Sequence, residues 1–456
     1  MATQARPPLA SFTDWVWATD PAASQHLPLL ERAAELLAGQ GDASVDRRRS
    51  LAAKLEAWRC RHLDERFGGL APEDRRLADA LDLAANELAG GDPRPPRAAH
   101  EAIHDTSHDP GPIAEAKAAL DSDVELDEVA RRARRLTDER FRAPGSPDGS
   151  ARRRMLLYAP LYLSSYCTNY CAYCGFRHPN RIERRHLSVE EALHEGEILR
   201  SRGFRHILLV AGDDPRWTTP EYYAAIIRAL VARGIAPGIE IAPQSTDAYA
   251  ELVAAGACGI TLYQETYHEE LYALYHPQGT KASFHWRLEG IERAAEASMG
   301  RLGLGVLLGL ADPQEDLLAL MRHALYLRGR FPDRRLAFSL PRIYKAPEGF
   351  QPPYRIDDET FVRFYCALRI AFPDAELVLS TREPAPLRNR LARICITQMS
   401  AGSRTVPGGY EAAPTDRPCG QQFPVSDHRS PAEVATWLQE AGIEPVWEIP
   451  QPREVR

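Results

Sequence analysis

The run LLYAPLYL (156–163) is the first of a series of short apolar segments that decide the fold of this chain. Seven more follow it, with room for a helix between most of them: HILLVA (206–211), GIEIA (238–242), GITLYQ (259–264), LGLGVLLG (302–309), RLAFSL (335–340), ELVLS (376–380) and ICITQM (394–399). Strands buried on both faces of a parallel sheet have this near-continuous apolar character. Helix-start signals lie between the runs, at Ser188 with Glu191 and at Thr219 with Pro220. The sequence therefore predicts an α/β fold, a (β/α)8 TIM-type barrel made of eight strand–helix units.

Four regions are predicted along the chain. Residues 1–112 form a helical N-terminal region, with helical apolar spacing at 27–37 and 77–88, that ends in a linker rich in Pro, Gly and His (90–112). Residues 113–152 form a helical lead-in that ends in a loop, APGSPDGSA (143–151). The barrel spans 153–425, and residues 426–456 form a C-terminal helix, started by a capping box at Ser430, and a tail. The barrel thus carries a helical N-terminal extension.

The composition of the 456 residues excludes several classes of protein. The formal net charge of −7 argues against a nucleic-acid-binding protein, which usually has a basic excess. No apolar run is long enough to span a membrane, so no membrane span is expected. The start MATQARPPLASF lacks the apolar core of a secretory signal, so we expect a cytoplasmic protein. In that reducing compartment the eight cysteines are expected to be thiols or metal ligands.

Three cysteines closely follow the first predicted strand, in CTNYCAYC (167–174). Cys167, Cys171 and Cys174 have the spacing with which one loop can hold three corners of a [4Fe–4S] cluster and leave the fourth iron open. S-adenosylmethionine (SAM) could occupy that iron, and its reductive cleavage would give a hydrogen-abstracting 5′-deoxyadenosyl radical. The alternatives are a zinc site completed by His178 and unligated thiols. The remaining cysteines are expected to be structural or have no assigned role: Cys60, Cys258, Cys366, Cys395 and Cys419.

Several ordered segments give a more specific identification. CTNYCAYCGF (167–176), LYQETYHEELY (262–272), WRLEGIERA (286–294), STRE (380–383) and SAGSRTVPGGY (400–410) together resemble the aromatic amino acid lyases of the radical SAM superfamily. This group includes the 2-iminoacetate synthases, which are tyrosine lyases of thiamine biosynthesis, the tyrosine lyases of [FeFe]-hydrogenase maturation, and a tryptophan lyase of thiopeptide biosynthesis. The C-terminal segment EPVW (444–447) resembles the first of these.

The resemblance implies a set of SAM-binding residues after the early strands. Tyr173 would face the adenine, and Glu265 would bind the ribose. Gly212 and Asp213 would hold the methionine amino group, with Asp in place of the family's Glu. Arg287 would pair with the SAM carboxylate, since a guanidinium can bind both of its oxygens. The alternative for Arg287 is a surface arginine of a helix.

The resemblance also implies three residues that hold the substrate. Arg382, after strand seven, would bind the carboxylate of an amino acid, with Ser400, after strand eight, beside it. Tyr162, near the end of strand one, would lie near the substrate amine. The active sites of barrel enzymes are built at the C-terminal ends of the strands, which is where all three residues are expected. The alternative for Arg382 is an ion pair with Glu383 or another acid of the barrel.

These implications predict a radical SAM lyase that cleaves the Cα–Cβ bond of free tyrosine to 2-iminoacetate (dehydroglycine) and p-cresol, with one [4Fe–4S] cluster and SAM as cofactors. The alternatives are a related enzyme acting on tryptophan or another amino acid in natural-product biosynthesis, and a non-catalytic iron–sulfur or zinc scaffold. No cysteine follows Cys419, so the second cluster of the hydrogenase-maturation lyases is not expected. PRIYKAP (341–347) places Tyr344 where the family has arginine, which could signal a changed substrate.

The expected partners are a free aromatic amino acid, a flavodoxin or ferredoxin electron donor and a thiazole synthase, with neither nucleic acid nor membrane. Four basic residues after the cysteine motif form either a solvated face or a docking surface for an acidic electron donor. They are Arg177, Arg181, Arg184 and Arg185.

Overall fold

The computed structural model describes residues 98–106, 109, 111–142, 152–343, 350–411 and 420–449, and residue 55 by itself. Several sequence-based expectations lie outside these residues: the helices at 27–37 and 77–88, the loop at 143–151, and the roles of Cys60, Tyr344 and Cys419.

Eight parallel strands close into a barrel. They are β1 (Arg153–Ser164), β2 (His206–Ala211), β3 (Ala236–Glu240), β4 (Gly259–Glu265), β5 (Arg301–Val306), β6 (Arg335–Ser339), β7 (Glu376–Leu379) and β8 (Gln398–Ser400). Each strand pairs with the next, and β1 pairs with both β2 and β8, which closes the ring. The predicted (β/α)8 barrel is confirmed.

Successive side chains along each strand point to opposite faces of the sheet, which divides the core into an outer and an inner part. In β1, Leu157, Ala159 and Leu161 belong to the large apolar core that includes residues of the helices. Tyr158 and Tyr162, of opposite parity, belong to a separate cluster with inward residues of neighbouring strands. The barrel interior therefore has its own cluster of aromatic and aliphatic side chains, separate from the core beneath the outer helices.

The helices lie between the strands and at both ends of the described chain. They are α1 (Ala98–His104), α2 (Gly111–Leu120), α3 (Leu126–Arg140), α4 (Val189–Ser201), α5 (Pro220–Val231), α6 (Thr246–Ala255), α7 (Glu269–Tyr275), α8 (Phe284–Leu288), α9 (Gly290–Glu296), α10 (Pro313–Arg330), α11 (Asp358–Ala371), α12 (Ala385–Ile394) and α13 (Pro431–Glu440). A short 3-10 turn, Thr280–Ala282, precedes α8.

The predicted helix starts are confirmed by their caps. Ser188 and Ser430 each form a capping box, with Glu191 and Glu433 as the reciprocal partners. Thr219 accepts a hydrogen bond from the backbone of Tyr222, and a proline follows it in the first turn. These side chains satisfy amide groups that the first turn of a helix leaves unpaired.

Three local features differ from the sequence-based expectation. The predicted strand at 394–399 begins too early, because Ile394 ends α12 and β8 starts only at Gln398. Part of the predicted linker is helix α1, whose Ala99 and Ile103 are buried four residues apart on one face. A ninth strand, β9 (Ile443–Val446), pairs with the start of β1 and was not predicted.

The N-terminal end of the barrel interior is closed by polar contacts. Arg301 donates from Nε to Glu376 over 2.5 Å and from a terminal nitrogen to Gln398 over 2.8 Å. Each of the three residues begins its strand. The active end must therefore be the opposite one, at the C-terminal ends of the strands. No helix in the described ranges is long and apolar enough to cross a lipid bilayer.

Candidate active site

The loop that carries the three cysteines leaves β1 and is fastened to the C-terminal ends of several other strands. The backbone N–H of Thr168 donates to the backbone carbonyl of Asp213, after β2, over 2.9 Å. The N–H of Ala172 donates to the backbone carbonyl of Tyr275, in α7, over 3.0 Å. The N–H of Gly175 donates to the carbonyl of Gln422, which follows β8, over 3.0 Å. The loop thus lies over the end of the barrel that the fold assigns to chemistry.

The three thiols form a donor set that fits an iron–sulfur cluster. Cys171 is buried, and Cys167 and Cys174 are partly buried. Burial raises the pKa of Cys171 to about 12 and raises those of Cys167 and Cys174 above their usual value. Thiols in such a position ionise only when a cation compensates the thiolate charge, as a bound metal does. Soft sulfur donors from one loop suit three corners of a [4Fe–4S] cluster.

The zinc alternative needs His178 as a fourth ligand. The ring of His178 is exposed and packs edge-on against Tyr170, with ring centroids 5.0 Å apart. Its backbone N–H donates to the carbonyl of Asn169 over 2.7 Å. Nothing in this arrangement favours a mononuclear site that includes the histidine.

Asp213 and Asn169 lock the cysteine loop to the segment after α7. The Asp213 carboxylate accepts hydrogen bonds from the side chains of Asn169, over 2.9 Å, and Thr280. The Asn169 side-chain oxygen accepts from the backbone of Lys281 over 2.9 Å. The carboxylate that was expected to hold the methionine amino group is therefore already bound to the loop scaffold.

Two glycines permit the close approach of these segments. A Cβ on Gly212 would lie 2.3 Å from the carbonyl oxygen of Tyr166. A Cβ on Gly279, whose φ is +93°, would lie 2.2 Å from the side-chain oxygen of Asn169. Any larger residue would displace the loop, so both positions require glycine.

The predicted ribose and carboxylate ligands of SAM meet in one ion cluster. Glu265 ends β4 with a φ of +72°, and its carboxylate lies 2.5 Å from the Lys281 ammonium and 3.5 Å from the Arg287 guanidinium. Burial alone would raise the pKa of Glu265, but the two cations outweigh it and hold the pKa below its usual value. Arg287 also donates from Nε to the carbonyl of Tyr263 over 2.6 Å. Arg287 is buried, so it is not a surface arginine.

Tyr173 lies beside this ion cluster. Its ring is 5.6 Å from the Lys281 ammonium, a cation–π distance, and its hydroxyl is 2.8 Å from His276 Nε2. The four residues therefore present an aromatic face and two cations next to the cysteine loop. Such a surface can accept a flat base together with a carboxylate.

Arg382 follows β7 and makes no ion pair with its neighbour Glu383. The Glu383 carboxylate is bound by Arg342, at 3.2 Å and 2.5 Å, in a buried two-pronged pair. The Arg382 guanidinium instead stacks on the ring of Phe423 at 3.3 Å. Within the described ranges no carboxylate forms a salt bridge with Arg382. Its charge is therefore available for a substrate anion.

Ser400 and Tyr162 lie on the two strands that follow β7 around the barrel. Ser400 is buried, and its side-chain oxygen accepts a hydrogen bond from the backbone of Thr381, next to Arg382, over 3.0 Å. The Tyr162 hydroxyl donates to the Gln422 side chain over 2.6 Å. Burial raises the pKa of Tyr162 well above its usual value, so its hydroxyl stays protonated. The structure thus brings the three predicted substrate residues to one side of the barrel end.

Comparison with known proteins agrees with this geometry. Residues 161–324 match the Radical SAM superfamily, and residues 339–444 match the Biotin and Thiamin Synthesis associated domain. The chain is 38% identical over 323 residues to the 2-iminoacetate synthase of Escherichia coli (strain K12), which covers 71% of this chain and 82% of that protein. The chain belongs to the radical SAM superfamily. Membership implies a [4Fe–4S] cluster and SAM as cofactors, and the thiol loop has the donors for the former.

Solved structures of the superfamily are also similar. This radical SAM enzyme matches the FeFe-hydrogenase maturase HydG from Carboxydothermus hydrogenoformans with a TM-score of 0.67 and 31% identity, over 90% of this chain and 86% of that one. A second HydG structure, titled as a maturase of the [FeFe]-hydrogenase, matches with a TM-score of 0.65 and 28% identity, over 95% and 81% of the two chains.

Sequence reasoning missed several residues of this radical SAM site. Lys281 pairs with Glu265, and the segment GQQF (420–423) joins the cysteine loop, Tyr162 and Arg382. Glu240 ends β3, and burial raises its pKa to about 7, with Arg382 acting in the opposite direction. None of them has a local motif. Glu240 stood out in the sequence only as a lone acid within the apolar run GIEIA (238–242), and the structure places it at the C-terminal end of β3.

Arg184 has a different role from the one that its neighbours suggested. It donates hydrogen bonds to the carbonyl oxygens of Phe176 over 2.6 Å and Arg177 over 3.0 Å, inside the cysteine loop. Arg185 is exposed and pairs with Glu191 over 3.1 Å. The basic cluster therefore contains one residue that shapes the loop, and only the others can form a solvated or docking face.

Proposed function

We propose that this enzyme cleaves the Cα–Cβ bond of free tyrosine, giving 2-iminoacetate and p-cresol. The observation that carries the proposal is the grouping of Arg382, Ser400 and Tyr162 beside the cysteine loop, with Arg382 free of a protein carboxylate among the described residues. The 38% identity to a 2-iminoacetate synthase supports the reaction type.

The cofactor side would be held by residues that already have defined neighbours. Cys167, Cys171 and Cys174 would bind one [4Fe–4S] cluster. Lys281 and Arg287 would attract the SAM carboxylate, with Tyr173 beside them for the adenine. When bound, the cluster and SAM supply a 5′-deoxyadenosyl radical that removes a hydrogen atom from the substrate. Gly212 and Asp213 would act through the position of the loop rather than by direct contact.

Tyrosine would be held by its α-carboxylate and α-amino groups. The Arg382 guanidinium would bind the carboxylate, and the Ser400 hydroxyl, which the backbone N–H of Thr381 holds in place, would contact the same group. The Tyr162 hydroxyl lies at the adjoining strand, where the amine would be. A fixed amine matters because small misplacements of a reacting pair cost large factors in rate.

The side chain of the substrate would point across the barrel to Glu240. β7 and β3 are four strands apart in an eight-stranded ring and are therefore opposite each other. A partly buried carboxyl with a pKa of about 7 can accept the hydrogen bond of a phenol or hold its proton. The benzylic fragment that leaves Cα needs one electron and one proton to become p-cresol, and the electron would come from an external reductant.

The proposed reductant is a flavodoxin or ferredoxin, and the exposed Arg181 and Arg185 lie next to the cysteine loop where an acidic protein could dock. A thiazole synthase as acceptor of the reactive imine is likewise a proposal.

The test is an anaerobic incubation of cluster-loaded enzyme with a chemical reductant, SAM and each aromatic amino acid in turn. With tyrosine, p-cresol and 5′-deoxyadenosine should form together, and glyoxylate should appear as the imine hydrolyses. An indole-derived product from tryptophan, with no p-cresol from tyrosine, would assign a tryptophan lyase instead. Deoxyadenosine without any amino acid product would refute a lyase for these substrates.

A further inference from the structure

Three ligand-type side chains meet outside the active site, at the junction of α1 with the barrel. They are His100 in α1, Glu269 at the start of α7 and His285 in α8. One ligand atom from each lies within 4.8 Å of the other two. Among the residues that the structure describes, no other trio of His, Cys, Asp and Glu meets this distance.

Each histidine of this histidine–glutamate trio lies near one oxygen of Glu269, at a separation close to that of two ligands around one zinc ion. His100 Nε2 lies 3.4 Å from one Glu269 oxygen, and His285 Nε2 lies 3.7 Å from the other. Two ligands at about 2.0–2.1 Å from a tetrahedral zinc are about 3.3–3.5 Å apart. Both separations exceed the roughly 2.7–3.2 Å of an ordinary N–H···O hydrogen bond. Two imidazoles and one carboxylate suit zinc, whereas magnesium and calcium prefer oxygen ligands.

A third histidine, His104, lies close to the trio. The His104 ring is 4.6 Å from that of His100. Arg322, a cation of α10, is paired with Asp109 over 2.9 Å. Water or His104 could complete a fourth position.

We propose that His100, Glu269 and His285 bind a divalent zinc ion that fastens α1 to the barrel. α1 packs against α8 and α10, and without metal its attachment depends on Ala99, Ile103 and the polar contacts around Asp109. A metal would cross-link segments that are more than 150 residues apart in sequence. It would also fix α8, in which His285 lies two residues before Arg287.

The experiment uses the full chain with its cluster loaded, so that the three cysteines of the loop are not available for zinc. Zinc binding is measured by competition with a chromophoric chelator, and zinc X-ray absorption gives the ligand type. We expect one zinc per chain with a nitrogen and oxygen shell at about 2.0 Å. Glu269→Gln should weaken zinc binding by at least about tenfold, because an amide is a much poorer ligand than a carboxylate.

Glu270→Gln is the matched control, since Glu270 is the next residue of α7, is exposed and lies outside the trio. Its zinc affinity should equal that of the unmodified protein. His100→Ala, paired with Glu101→Ala as its own control, repeats the test from α1 if Glu269→Gln loses iron or misfolds. A sulfur shell at about 2.3 Å, no retained zinc, or equal affinities of each variant and its control would overturn the site.

Discussion

The cofactor side and the substrate side of the barrel end differ in how their charges are used. On the cofactor side, Glu265 is bound by two cations, and Asp213 is bound by the side chains of Asn169 and Thr280. On the substrate side, Arg382 rests on the ring of Phe423 with no carboxylate partner among the described residues. The first side is organised before anything binds. The second keeps an unneutralised cation for an incoming anion.

The physical reason for the difference lies in desolvation. A buried charge without a partner is costly, and Arg287 and Glu265 are buried, so the charges of the cofactor side are paired with one another. Arg382 is only partly buried, and stacking on the ring of Phe423 holds its guanidinium at modest cost.

The largest effect is expected from the cysteine loop. Anaerobic reconstitution should load about four irons per chain, and Cys171→Ala should lose them together with all activity. Cys258→Ala is the control, because Cys258 lies before β4 near His206 and away from the loop. Its iron content should be unchanged. About eight irons per chain in the unmodified enzyme would contradict the assignment of a single cluster.

The second largest effect is expected from the substrate side, where a substitution should lower turnover and leave SAM binding unchanged. Arg382→Lys keeps the charge but loses both the two-pronged contact and the stacking on Phe423, so turnover of tyrosine should fall by about 100-fold. The dissociation constant of SAM should not change. Arg390→Lys, an exposed position in α12, should behave as the unmodified enzyme. Equal losses of turnover and SAM affinity would show that the two sides are one unit.

Substitution on the cofactor side should weaken SAM binding and keep the cluster. Arg287→Ala removes a charge-assisted contact worth about 1.5–3 kcal/mol, which corresponds to roughly 10–150-fold in affinity. Isothermal titration with SAM measures this, and iron content verifies the cluster. The exposed Arg228 in α5 gives the control variant, Arg228→Ala. Unchanged affinity in Arg287→Ala would mean that Arg287 serves only Glu265 and the Tyr263 carbonyl.

The same comparison shows what the sequence can predict. The barrel was predictable because strands buried on both faces are short apolar runs, and helix starts carry side-chain caps. The start of β8 was not, because Ile394 and Cys395 are as apolar as a strand but continue and close α12. β9 was missed because its pairing with β1 comes from a distant segment.

In the active site, too, the residues that the sequence could not predict are those that depend on contacts between distant segments. The cysteines were predictable because three ligands lie on one loop with a fixed spacing. Lys281 and Gln422 were not, because each acts through a residue brought near only by the fold: Glu265 and Tyr162. The use of Asp213 in the loop scaffold was also hidden, since Asn169 is separated from it by more than 40 residues.

The smallest effect concerns Glu240, which lies between the two sides. Burial raises its pKa from 4.5 to about 7, so between these values the folded protein holds a proton that the unfolded chain has lost. The free energy of unfolding should therefore decrease as pH rises from about 4.5 to 7, with no contribution below this window and the full penalty above it. Glu240→Gln removes the titration. Relative to the unmodified protein, it should gain about 1–2 kcal/mol between pH 5 and pH 8, a value reduced from the full shift because Glu240 is only partly buried.

Thermal unfolding midpoints measured anaerobically at several pH values check this gain, with Glu221→Gln, an exposed position in α5, as the control. If the unfolding midpoints of Glu240→Gln and Glu221→Gln both change with pH as those of the unmodified protein do, Glu240 ionises with an ordinary carboxyl pKa. It would then not hold a proton near pH 7. If Glu240→Gln shows the pH-dependent gain and also loses p-cresol formation while SAM binding is kept, the carboxyl belongs to the substrate side. That outcome follows from the geometry, because the strand that carries Glu240 faces Arg382 across the barrel.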